Sequence, residues 1–166
     1  MNSKQKGSAF ERKMCRELSL WISGGRQDDL LWRSSMSGGT ATVGKRKGIK
    51  KANMCGDISA IGEQGHTLTN AVIIECKAYK KFQWENFLYN NKGDIAGFWE
   101  VLIADCKTYN KQPFLILKQN AKPIVVGLNK ALKCKPFAKI HNIHFYQMDK
   151  LLKLAFADFL KEYARD

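Results

Sequence analysis

Three β-branched residues in a row, Val72, Ile73 and Ile74, are followed at once by Glu75-Cys76-Lys77. Such a run predicts a strand with apolar surroundings, and a buried strand leaves little room for charge. Glu75 and Lys77 are two apart, which on a strand puts both side chains on one face. A second short apolar run, opened by Asp57, precedes this one, and a Gly-containing turn is expected between the two. Paired as a hairpin over 57–77, the runs bring Asp57 beside Glu75. The fold must therefore carry two carboxylates and an amine at the ends of its most strand-like pieces.

The rest of the chain supplies elements around that hairpin. Phe10, Met14, Leu18 and Trp21 recur at helical spacing, which predicts an amphipathic helix over Ser8–Ile22. Ser8 is the expected N-cap, Glu11 three residues later completes a capping box, and Gly24-Gly25 ends the helix. Residues 30–37 are expected to be extended, and 38–51 to form a loop. A second helix is predicted over Asp94–Tyr109, with Ile95, Phe98, Trp99, Leu102, Ile103 and Cys106 on one face. Short strands are predicted at 114–118, 123–128 and 140–148. A final helix is predicted from about Asp149, with Leu151, Leu152, Ala155, Phe159 and Tyr163 on one stripe. This order predicts one α/β domain over 1–166, a central mixed sheet flanked by helices. Its core lies at about 4–128, with the strand and helix of 140–164 packed on it. Phe82, Trp84, Phe87, Leu88 and Tyr89 crowd eight residues and are candidates for an exposed dimer surface, or for core.

Charge narrows the function. Twenty-eight Lys and Arg against fifteen Asp and Glu give a net charge of +13, more than solubility requires. A polyanion, nucleic acid first, is the partner this implies. The stretch Lys45-Arg46-Lys47-Gly48-Ile49-Lys50-Lys51 holds five cations in seven residues and reads as a solvated loop that contacts phosphates. Neither a secretory signal nor a membrane span is evident, so a cytoplasmic protein with reduced thiols is expected. Cys134, His141 and His144 fit no common zinc spacing.

Two carboxylates at adjacent strand ends, with a backbone carbonyl, suit Mg²⁺, which takes few protein oxygens and keeps waters and phosphate. A lysine beside them serves to orient or deprotonate a water, or to stabilise charge on phosphate. Together they make chemistry for phosphodiester hydrolysis. Glu11 has two readings: by spacing alone it caps its own helix, and otherwise it faces the sheet edge as a catalytic group.

Asp57 followed by Glu75-Cys76-Lys77 resembles the PD-(D/E)xK signature of the restriction-endonuclease-like nucleases. The wider pattern resembles the archaeal-type Holliday junction resolvases: KGSAFERK near the N-terminus, WRSSMSGG, the D…E-x-K pieces, then a helix and the PFLILK strand, over about residues 4–128. The resemblance implies a restriction-endonuclease-like fold and a homodimer. It also implies a Mg²⁺-dependent endodeoxyribonuclease, with Mn²⁺ as a substitute, that makes paired nicks in opposed strands of four-way DNA junctions. It puts Mg²⁺ on Asp57, Glu75 and the carbonyl of Cys76, with Glu11 as a further ligand. Lys77 becomes the catalytic lysine, Arg33 the strand arginine, and Ser35 or Ser37 the site serine. On this likeness Glu11 is the helix glutamate rather than only a cap. Gly56 stands where the signature has proline, the segment between the serines and Asp57 is long and basic, and the last forty residues match nothing in the pattern. The rival readings are another nuclease of this superfamily, restriction-type or nicking, acting on duplex DNA; a non-catalytic basic nucleic-acid-binding module; and a basic scaffold. A phage or an archaeon would suit as the source.

Overall fold

The computed structural model describes residues 3–34 and 55–164, with side chains from residue 5. The loop cations Lys45, Arg46, Lys47, Lys50 and Lys51, and both Ser35 and Ser37, lie outside the described residues.

Helix α1 runs Ser3–Ser23 and buries Phe10, Met14, Leu18 and Trp21 as its periodicity requires. It begins five residues before Ser8, so Ser8 is inside the helix and no S-A-F-E capping box exists. Lys4, Gln5 and Lys6 are good helix formers, and they carry the helix past the expected cap. The C-terminus is as expected: Gly24 and Gly25 turn left-handed at φ 63° and 86°, and the Gly25 amide donates to Leu20 O at 2.7 Å.

Strand β1, Leu31–Arg33, pairs antiparallel with β2, Ile58–Ala60. The expected 57–77 hairpin is absent. Helix α2, Glu63–Ala71, fills the connection, and β2 joins β1 in a separate two-stranded sheet. Strand β3, Val72–Tyr79, leaves α2 directly. Helices α3, Trp84–Asn90, and α4, Asp94–Tyr109, follow. The main sheet is completed by β4, Gln112–Gln119; β5, Val125–Leu128; β6, Ala138–Ile140; and β7, Ile143–Gln147.

That five-stranded sheet has the order β3-β4-β5-β7-β6, with β3 and β4 parallel and every other pair antiparallel. It is the mixed sheet flanked by helices that the pattern predicts. Period-2 alternation splits β3 between two cores. Val72, Ile74 and Cys76 face α1, with Phe114, Ile116 and Val126. Ile73 faces α4, with Leu115, Leu117 and Phe145. Glu75 and Lys77 share the α4 face, beyond the end of its apolar part.

Three further expectations change. Residues 140–148 are not one strand but the end of a tight β6–β7 hairpin, with His141 left-handed at φ 52°. The C-terminal helix is broken: a turn, α5, Met148–Leu151, and then α6, Phe156–Phe159, running into a π-helical turn at Leu160–Ala164. The break falls at 152–155, where the Lys153 and Leu154 amides donate to Lys150 O and Leu151 O; the indole N–H of Trp21 donates to the Leu154 carbonyl at 2.7 Å in this segment. Finally, Phe82 and Phe87 are core, only 1% exposed, whereas Leu88 and Tyr89 face outward. All five cysteines are free thiols. Among the described residues no helix is long and apolar enough to cross a membrane.

Candidate active site

Strand β3 is an edge strand, so one row of its backbone groups lacks a sheet partner. Asp57 occupies that edge. Its amide donates to Ile74 O at 2.8 Å, and its Oδ2 accepts the Cys76 amide at 2.9 Å. Its own carbonyl accepts the Ser34 amide at 2.8 Å, at the end of β1. Asp57 is therefore clamped between the two sheets and is only 7% exposed. Because N–H and C=O of one strand residue point to the same side, the Cys76 carbonyl also faces this edge.

Gly56 makes the clamp geometrically possible. Its φ is +85°, and a Cβ there would sit 2.6 Å from Ile74 O. Proline, held near φ −65°, cannot take this place, so the departure from the P-D pattern is enforced by the backbone.

Glu75 and Lys77 stand two residues apart on β3 and are ion-paired, each about a quarter exposed. The Lys77 ammonium also lies 5.3 Å from the Phe98 ring centroid on α4. Burial pushes the Glu75 carboxyl up, and the charge of Asp57 pushes it further; Lys77 offsets only part of this. Burial opposes the Lys77 charge, but Glu75 outweighs it by charge and hydrogen bond, and the ammonium is held above its ordinary value.

Glu11 on α1 is ion-paired with Arg33 on β1, not with its own helix N-terminus. Strand β1 is fixed on α1 by the buried Ser19 hydroxyl, which donates to Cys15 O at 2.7 Å and accepts the Leu31 amide at 3.0 Å. The Cys76 thiol is pushed far up, first by burial and then by Asp57, Glu75 and, more weakly, Glu11. Cys15 is pushed up to about 12 by burial and then by Glu11. Carboxylates of α1, of the residue before β2 and of β3 thus all act electrostatically on the Cys76 thiol.

The structure therefore brings Glu11, Arg33, Asp57, Glu75, Cys76 and Lys77 to one place. The sequence pattern did not single out Ser34, whose amide anchors Asp57, or Ser19, which anchors β1. A lone serine carries no signal of either job.

The donors are hard oxygens, which suit a Mg²⁺-like ion. The mutual repulsion that raises Glu75 is what a bound divalent cation relieves. Among the described residues no group of three or more His, Cys, Asp or Glu side chains forms a metal cluster, so any ion held here leans on backbone oxygen, water or phosphate as well.

Two carboxylates at a sheet edge, a lysine on the same strand, and a mixed sheet between helices define a class, the restriction-endonuclease-like nucleases. Over residues 2–161 the chain matches the family described as "phage putative PDDEXK endonuclease", and it belongs to that family. No curated protein and no solved structure matches it.

Proposed function

We propose that this protein is a Mg²⁺-dependent endodeoxyribonuclease whose active site is the edge of β3. The observation that carries the reading is the two-point seat of Asp57 on Ile74 O and Cys76 N–H, beside Glu75. Asp57, Glu75 and the Cys76 carbonyl would hold the ion, with Glu11 as a further oxygen donor and Mn²⁺ as a substitute. When bound, the metal supplies charge to the phosphate and lowers the pKa of an attacking water.

The chain's own residues do the rest. Asp57 fixes the position of the site by holding two sheets together. Lys77, a cation kept in place by Glu75 and Phe98, stabilises negative charge growing on the phosphate. It is not free to act as a base while its proton is held this firmly. Arg33, positioned by Glu11, contacts a neighbouring phosphate. Ser35 or Ser37 is the site serine, and the cations of 45–51 bind the backbone.

The narrower reading is structure selectivity: paired nicks in a four-way junction by a two-fold homodimer, for which the exposed Leu88 and Tyr89 of α3 offer apolar surface. It rests on the likeness of the N-terminal and serine segments to junction resolvases. The test is incubation with labelled four-way junction, duplex and single strand, with and without Mg²⁺. Paired symmetric nicks confined to the junction support the resolvase. Cleavage of duplex makes it a restriction-type or nicking enzyme. Binding without Mg²⁺-dependent cleavage of any substrate overturns the nuclease in favour of a binding module.

A further inference from the structure

Tyr79 lies two residues beyond Lys77 on β3, so the two share a face about 6.6 Å apart along the strand. It is 43% exposed, an unusual place for an aromatic ring at the end of a buried strand. Two rings hold it: Phe82 at 5.1 Å and Phe98 at 5.7 Å between centroids. Phe82 is fully buried behind it. Phe98 is the same ring that carries the Lys77 ammonium at 5.3 Å. One aromatic cluster therefore positions both the lysine of the candidate site and a partly exposed tyrosine ring beside it.

The surroundings are cationic. Lys80 and Lys81 follow directly and are exposed. The β4–β5 turn closes on the same strand end, where the Asn120 amide donates to Tyr79 O at 3.2 Å. That turn presents the exposed Lys122, whose carbonyl is held by Lys118 Nζ at 2.7 Å. An apolar protein partner would not call for this rim. Lysines tracking a backbone, with an exposed ring between them, are what unstacked nucleic acid requires.

We propose that Tyr79 is a stacking platform for the nucleobase one nucleotide from the scissile phosphate, with Lys80, Lys81 and Lys122 on the flanking phosphates. The strand that is cut is then bound with that base out of a continuous stack, as at a branch, fork or single-stranded end. This rests on the edge of β3 being a nuclease site. Tyr79 is a substrate-positioning residue, and its ring rather than its hydroxyl is the working part.

The test uses a short single-stranded oligonucleotide carrying 2-aminopurine, titrated into the full chain in EDTA so that no cutting occurs. Wild type quenches the probe by stacking. Tyr79→Phe keeps affinity and quench. Tyr79→Ala and Tyr79→Leu lose the quench and bind roughly 5- to 150-fold more weakly, the range that one base–aromatic stack represents. Tyr79→Leu still covers Phe82 and Phe98, so it decides the matter if the alanine variant fails to fold. Unchanged quench and affinity in Tyr79→Leu, or a Phe variant as weak as the Leu variant, overturns the proposal. Because the readout needs no catalysis, a chain that quenches through Tyr79 but cuts no DNA with Mg²⁺ would sink the nuclease reading and leave the platform standing.

Discussion

Lys77 and Glu75 constrain each other's chemistry. Glu75 is raised above its usual 4.5 by burial and then by Asp57, and the only large opposing influence is Lys77. A raised carboxyl is one that folding prefers protonated. Its contribution to stability is complete below the unfolded value and is lost as pH rises through the folded one. Metal binding runs the other way, since a cation needs the carboxylate. The acid limb of the pH–rate profile should therefore report Glu75. Replacing Lys77 with Ala removes the influence that lowers Glu75, so that limb should move to higher pH. At the plateau, single-turnover cleavage at saturating DNA should fall about 10²–10³-fold, as for loss of one charge-stabilising group. The dissociation constant for DNA should change little, because the group acts mainly in the transition state. An acid limb that moves to lower pH, or a loss in binding as large as the loss in rate, would make Lys77 an ordinary phosphate contact.

At the scale of elements, the site depends on a left-handed glycine in front of β2. Gly56→Ala would place a Cβ 2.6 Å from Ile74 O at φ +85°. It should cost about 1–3 kcal/mol of stability, read by denaturant unfolding, and should lower cleavage further by shifting Asp57 off the β3 edge. A variant with native stability and native rate would show that the Gly56–Ile74 approach is not required. The same region shows what the sequence made legible. Strand β3 and the face shared by Glu75 and Lys77 follow from β-branching and period 2. Helix α2 does not: in EQGHTLTNA the only large buried apolar residue is Leu68, so no stripe marks it, and Gly62 before it and Gly65 within it read as a turn. With α2 unseen, the 57–77 connection reads as a hairpin, although Asp57 still reaches β3 by a route through the second sheet. The last helix fails for the opposite reason. Its stripe is present in the sequence, but the chain breaks at 152–155, where Trp21, more than a hundred residues away, donates to the Leu154 carbonyl. Local pattern carries no trace of such a contact.

Across the whole molecule, a chain of net charge +13 sets Glu11, Asp57 and Glu75 within electrostatic reach of one buried thiol. A basic surface draws in a polyanion generally; within it, Glu11 and Glu75 are each paired with a cation, and a divalent ion at this edge would offset the remaining carboxylate charge. A carboxylate-lined strand edge within so basic a chain is the feature that the proposed metal-dependent nuclease explains and a basic binding module does not. The measurement that tests this most directly is a comparison of wild type with Asp57→Asn, scoring binding and Mg²⁺-dependent cleavage on the same labelled DNA. Asn keeps the side-chain shape and an oxygen able to accept the Cys76 amide, while removing the charge a metal needs. The account predicts that cleavage is abolished and that binding in the absence of metal is unchanged or tighter, since one repulsive charge near phosphate is gone. Full cleavage by Asp57→Asn in Mg²⁺ would contradict it.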